Sequence, residues 1–209
     1  MHRFTPIAVL ALVAVACGSD TAPETSPATQ PPATQAPDTQ PPETEPPTTE
    51  PPAGTFAISE VVFGRGGGVA VRNIGDAAAS VGGMAVCQRP NYTTLPDVIV
   101  QPGEVIWLVT GDPAEISFDP GQAPVERIGT GTFSASSGEI GLYSRPSFGS
   151  SDFIRSYVEW GGSGHGRSSV AVGAGIWPDG GTVDVPDGTV RIVATADPAV
   201  APADWTAEA

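Results

Sequence analysis

Apolar residues in the second part of the chain come in short alternating runs. "TFAISEVVF" begins at Thr55, and "GVAVRNIG", "GMAVCQ", "DVIV", "EVIWLVT", "EIGLYS", "FIRSYVEW", "SSVAVG" and "GTVRIVAT" come after it. Glycine, proline, asparagine and aspartate separate them. Runs of this length, rich in β-branched residues and broken by turn formers, predict strands. No segment sustains an apolar period of 3.6 residues with capping signals. The pattern predicts an all-β domain over residues 55–209, folded as an antiparallel β-sandwich. Between "DVIV" and "EVIWLVT", Pro102 presets φ and Gly103 supplies a positive φ, which suits a type II turn. "FGRGGGVAV" has the glycines of a phosphate loop but neither a following helix nor its lysine, so it predicts a connection between the first two strands. In "YVEWGGSGHGRSSVAVGAGIW" the pattern predicts a hairpin: a strand ending at Trp160, a turn over "GGSGHG" and a returning strand at "SSVAVG". Trp160 and Trp177 then anchor the core, and Glu159, one position out of phase with Trp160, faces solvent.

The pattern changes completely before Thr55. "MHRFTPIAVLALVAVAC" has a short basic start and an apolar run from Ile7 to Ala16, too short to span a bilayer as a helix. Residues 1–16 are expected to be an export signal. The "AVAC" ending resembles a bacterial lipobox, which makes Cys17 the expected lipidation site. Residues 17–54 carry a five-residue repeat ("PATQP", "PATQA", "PDTQP", "PETEP", "PTTEP") without aromatic or branched aliphatic side chains. Such a Pro/Thr/Glu-rich segment has nothing to offset the entropy of ordering and is expected to be a disordered, extended tether. At polyproline II spacing its roughly 35 residues reach about 100 Å at most.

"ISEV", then "VAVRNIGDAAASVGGMAV" and "LPDVIVQPGEVIWLVT", resemble the lamin-tail domain, and "SSGEIGLYSRPS" and "SYVEWG" resemble that family's final hairpins. The resemblance spans about residues 56–178. Val69 and Ala70 stand where the family often has aromatic and acidic residues, and "CQRPNYTTLPD" is an inserted loop. The resemblance implies an immunoglobulin-like sandwich and transfers no catalytic apparatus. The family's bacterial members look like extracellular accessory or adhesive modules, which is analogy at the level of the fold.

Charge narrows the partners. The chain has 9 basic residues, all arginine, against 23 acidic ones, for a net charge of −14. That field repels nucleic-acid phosphates and anionic head groups, so neither nucleic acid nor an electrostatically bound membrane is an expected partner. With Cys17 lipidated, Cys87 has no partner for an internal disulfide and is expected to be buried as a small apolar residue. One histidine beyond the signal, His165, with Cys87 falls short of a zinc ligand set. The aspartates of "WPDGGTVDVPDGTV" miss the D-x-D-x-D-G calcium spacing and read as turns. No metal or cofactor is expected.

His165 as a base would need Ser163, Ser168 or Ser169 as nucleophile and Asp152 or Asp179 as orienting acid, and no G-x-S-x-G elbow exists. Paired carboxylates, with Glu159 beside Trp160, are the other hydrolytic arrangement. The candidate binding residues are His165 and Arg167 in the glycine-rich turn, with Arg89, Asn91 and Tyr92 in the loop "CQRPNYTTLP". Sandwich loops carry binding more often than strands. Arg167 has a structural alternative, an ion pair with Glu139 or Asp152. The expectation is a binding or adhesion module, lipid-anchored to the bacterial cell membrane through Cys17 and facing a wall polymer or surface protein. The alternatives are a structural envelope or self-association unit and a hydrolase using His165 or paired carboxylates.

Overall fold

The computed structural model describes residues 56–89 and 91–209. The expected signal peptide, Cys17 and the tether lie outside the described residues. In chain order the elements are β1 (Phe56–Val62), β2 (Gly68–Asn73), β3 (Ala79–Ser80), β4 (Ala85–Gln88), β5 (Asn91–Thr94), β6 (Ile99–Val100) and β7 (Val105–Val109). They continue as β8 (Val125–Arg127), β9 (Gly138–Tyr143), β10 (Ile154–Trp160), α1 (Ser168–Gly173), β11 (Arg191–Ala194) and β12 (Trp205–Glu208).

The fold is an all-β sandwich. One sheet has the order β12-β11-β1-β2-β7-β8, the other β10-β9-β4-β5, and β3 pairs with β6 as a small ribbon. The strand pairings are antiparallel except β7 with β8, which run parallel. Ile58, Val71, Ile106, Leu108 and Ile192 of the first sheet share a buried core with Val86, Ile140, Leu142, Val158 and Trp160 of the second. The Ile58 amide donates to Ser156 Oγ across the sheets at 3.0 Å. The far side of the first sheet is also covered: Val62, Ala70 and Trp107 form a second buried cluster under Phe118, with the Trp107 and Phe118 rings 4.2 Å apart. Burial on both faces explains why "EVIWLVT" is apolar almost throughout.

Asn73, at the end of β2, is fully buried. Its Nδ2 donates to the carbonyls of Ala77 and Val100, each at 2.8 Å, and its Oδ1 accepts from the Gly75 amide at 2.9 Å. The Asn73 carbonyl accepts from Gly103 at 2.9 Å, and Gly103 has the expected positive φ of 77°. One side chain therefore joins the β2 turn to β6, and its backbone holds the Pro-Gly turn. Cys87 is buried, as expected, and burial pushes its thiol pKa up.

Three expectations are corrected. "SSVAVG" forms α1, not a returning strand. The edge of β10 beside it is occupied instead by Val183, whose amide donates to the Glu159 carbonyl at 2.9 Å. Local β propensity yields to that competition and to the hydrogen bonds that Ser168 and the preceding Arg167 amide give to buried carboxyl groups. Glu159 is 0 % exposed, not solvated, because the chain after Trp160 folds over it. Asn91 and Tyr92 lie on a strand, not a loop: β5 pairs with β4 in a tight hairpin, Cys87 opposite Tyr92 and Gln88 opposite Asn91.

Replacing Asn73 by alanine leaves buried backbone groups without partners, at about 1–3 kcal/mol. We expect Asn73→Ala to lower unfolding free energy by about 2–3 kcal/mol in urea titration. An unchanged midpoint would refute the role assigned to this side chain.

A buried carboxyl pair beneath a polar cleft

β9 and β10 form a hairpin in which Glu139 stands directly opposite Glu159. Tyr157 lies two residues before Glu159 and shares its face, while Val158 and Trp160 point into the sandwich. The Tyr157 hydroxyl sits 2.9 Å from Glu139 Oε2 and 3.2 Å from Glu159 Oε2. Its single proton serves one of these oxygens at a time. Burial, together with the two carboxyl groups, pushes the Tyr157 phenol pKa far above its ordinary value.

The chain after β10 supplies the remaining donors. The His165 amide donates to Glu159 Oε2 at 3.1 Å, and Ser168 Oγ donates to Glu159 Oε1 at 3.0 Å. The Arg167 amide donates to Glu139 Oε2 at 2.8 Å. Glycine makes this return possible. Gly161 has φ +68°, and a Cβ there would lie 1.8 Å from the Ser136 carbonyl oxygen. α1 then turns Ser168 and Ala171, three residues apart, toward the sheet, and both are buried. Trp177 closes the far end, edge-on to Tyr157 at 5.6 Å between ring centroids. Glu139 is only 4 % exposed, and its Oε1 has no hydrogen-bond partner among the described residues.

A cleft of about 410 Å³ opens above Glu139, with Gln88, Arg89, Ser137, Trp160 and His165 among its lining residues. His165 Nε2 lies 3.3 Å from both Ser137 Oγ and the Trp160 carbonyl. The Arg89 guanidinium rests against Gly166, where a Cβ would lie 1.8 Å from Nη1. Trp160 is no stacking platform: it is 1 % exposed and its Nε1 donates to the Ser134 carbonyl at 2.8 Å.

The candidate residues from the sequence therefore separate. Arg89 and His165, far apart in the chain, meet in the cleft. The Arg167 guanidinium points elsewhere, donating to the Tyr92 hydroxyl at 3.3 Å with its carbon 5.6 Å from that ring's centre. The expected Arg167–Glu139 ion pair is replaced by a bond from the Arg167 backbone. Asn91 acts as a strut: its Nδ2 donates to Gln88 Oε1 at 2.8 Å and to the Thr130 carbonyl at 3.2 Å. Tyr92 is 45 % exposed and packs edge-on to Phe148. Ser168, a candidate nucleophile, is engaged with Glu159, and among the described residues no three His, Cys, Asp or Glu side chains gather around a metal-sized space.

Gln88, Ser137 and Tyr157 escaped notice in the sequence, and Glu139 entered only as a partner for Arg167. The available signal was the hairpin register of "EIGLYS" with "FIRSYVEW", which sets the two glutamates opposite each other, and the tyrosine sharing the supposed solvent face. The chain matches no known family model and no curated protein.

Tyr157→Phe removes the one hydroxyl between two buried carboxyl groups. The expected loss is about 2–3 kcal/mol of unfolding free energy, read by chemical denaturation. A stability within error of the parent would mean that Tyr157 contributes only its ring.

Proposed function

We propose that this chain is a lipid-anchored bacterial surface protein whose β-sandwich is a binding or adhesion module, held off the membrane by the Pro/Thr tether. The carrying observation is the cleft over Glu139, which gathers Arg89 from the β4–β5 turn and His165 from the β10–α1 connection. A β-hairpin turn and a strand-to-helix connection hold these side chains beside each other, and such preorganisation lowers the entropic cost of binding. The lining offers guanidinium, imidazole, amide, hydroxyl and carboxyl groups. This suits a polar ligand such as a wall polymer or the surface of another envelope protein. The lipobox and the resemblance to lamin-tail domains support an extracytoplasmic site, and the acidic charge disfavours nucleic acid.

Binding is tested by co-sedimentation of the purified full chain with isolated wall material and with envelope proteins. Arg89→Ala combined with His165→Ala is expected to weaken binding about tenfold or more, while the thermal midpoint stays unchanged because neither side chain supports the core. Retained binding would remove the cleft from the function. Anchorage is tested separately: Cys17→Ser is expected to move the protein from the membrane to the soluble fraction of cells, and unchanged fractionation would overturn the lipid anchor.

A further inference from the structure

We propose that the cleft recognises a small zwitterionic group, seating a primary ammonium against Glu139 Oε1 and a neighbouring carboxylate against Arg89. This rests on the cleft being the binding site and specifies what it takes. Glu139 is almost wholly buried, yet the donors within its reach converge on one oxygen: Oε2 receives the Arg167 amide and lies 2.9 Å from the Tyr157 hydroxyl that it shares with Glu159. Oε1 receives none among the described residues, and Glu139 lines the cleft. A buried carboxyl oxygen without a donor is costly, so the site favours a ligand that supplies one.

The protein's own cations do not. The four ion pairs among the described residues all lie elsewhere, the Arg167 guanidinium is turned to Tyr92, and His165 Nε2 faces Ser137 and the Trp160 carbonyl. Geometry selects the donor. A guanidinium fork binds best when both carboxyl oxygens are open, and Oε2 already accepts from the Arg167 amide and faces the Tyr157 hydroxyl. Calcium takes about 6–8 oxygen ligands, and no acidic cluster among the described residues supplies them. A primary ammonium is a compact charge with three N–H donors, which matches one oxygen that lacks a donor and leaves two donors for neighbours such as Ser137. Because Oε1 is itself buried beneath the cleft, seating the ammonium requires the lining side chains to shift. Arg89 lines the same cleft with its fork unpaired among the described residues, a complement to a carboxylate. At about 410 Å³ the cleft has room for a group of amino-acid size.

The test titrates the purified full chain with alanine, alaninamide (no carboxylate) and N-acetylalanine (no ammonium), tracking the His165 imidazole resonances and the heat of binding. Alanine is expected to bind and to shift His165, with each blocked analogue about tenfold weaker or more. Glu139→Gln is expected to abolish the preference for alanine over N-acetylalanine, and Arg89→Ala the preference for alanine over alaninamide. Equal binding of alanine and N-acetylalanine, or no binding of alanine, would overturn the proposal. If Glu139→Gln does not fold, the wild-type comparison of the three probes decides alone. Wall binding lost in the Arg89/His165 double variant, without any alanine binding, would overturn the zwitterion and leave the cleft as the binding site. Wall binding that survives the double variant would remove the cleft itself.

Discussion

Two glutamates opposed on neighbouring strands, with one tyrosine hydroxyl between them, form the constraint on which the second sheet's outer face is organised. Glu139 and Glu159 are set opposite by the β9–β10 register and buried by the chain beyond Trp160. Buried carboxyl groups demand donors, and the hairpin offers only Tyr157. The rest come from the backbone amides of His165 and Arg167 and the hydroxyl of Ser168. Placing three donors from four consecutive residues around two carboxyl groups needs a curled chain. An extended strand would send alternate residues to opposite sides. The helix α1 and the glycine-rich approach to it meet that requirement.

The same constraint makes the cleft. Once the 161–167 connection folds back over β10, His165 and Gly166 become one wall, and the β4–β5 turn with Arg89 becomes another. Glu139 lies at their junction and links the interior of the network to the surface. The sandwich thus packs apolar side chains between its sheets and gathers polar ones on an outer face. The other outer face is sealed by apolar packing around Trp107 and Phe118.

Much of the framework was legible in the chain. The alternating runs mark the main strands, the Pro-Gly turn appears where Pro102 and Gly103 require it, and Cys87 and Trp160 are buried as their neighbours imply. These features depend on local geometry and on apolar area, both of which a sequence displays directly. The site was only partly legible. Arg89 and His165 were visible as polar residues near turns, yet nothing local says that they meet. Asn91 and Arg167 have equally suggestive side chains and serve as supports: one ties a hairpin to the 129–130 segment, the other lies against Tyr92.

The sequence alone determined that the domain expected over residues 55–209 builds sheets, where the Pro-Gly turn falls and that Cys87, Trp160 and Trp177 are buried, because periodicity and turn chemistry act over a few residues. Only the tertiary structure decided that "SSVAVG" is helical, that Glu159 is buried and that Glu139 meets the cleft. Each of those outcomes is a competition between distant groups for the same hydrogen bonds. Val183 takes the β10 edge that a returning strand would have needed, and the carboxyl groups draw in the amides of His165 and Arg167 and the hydroxyl of Ser168.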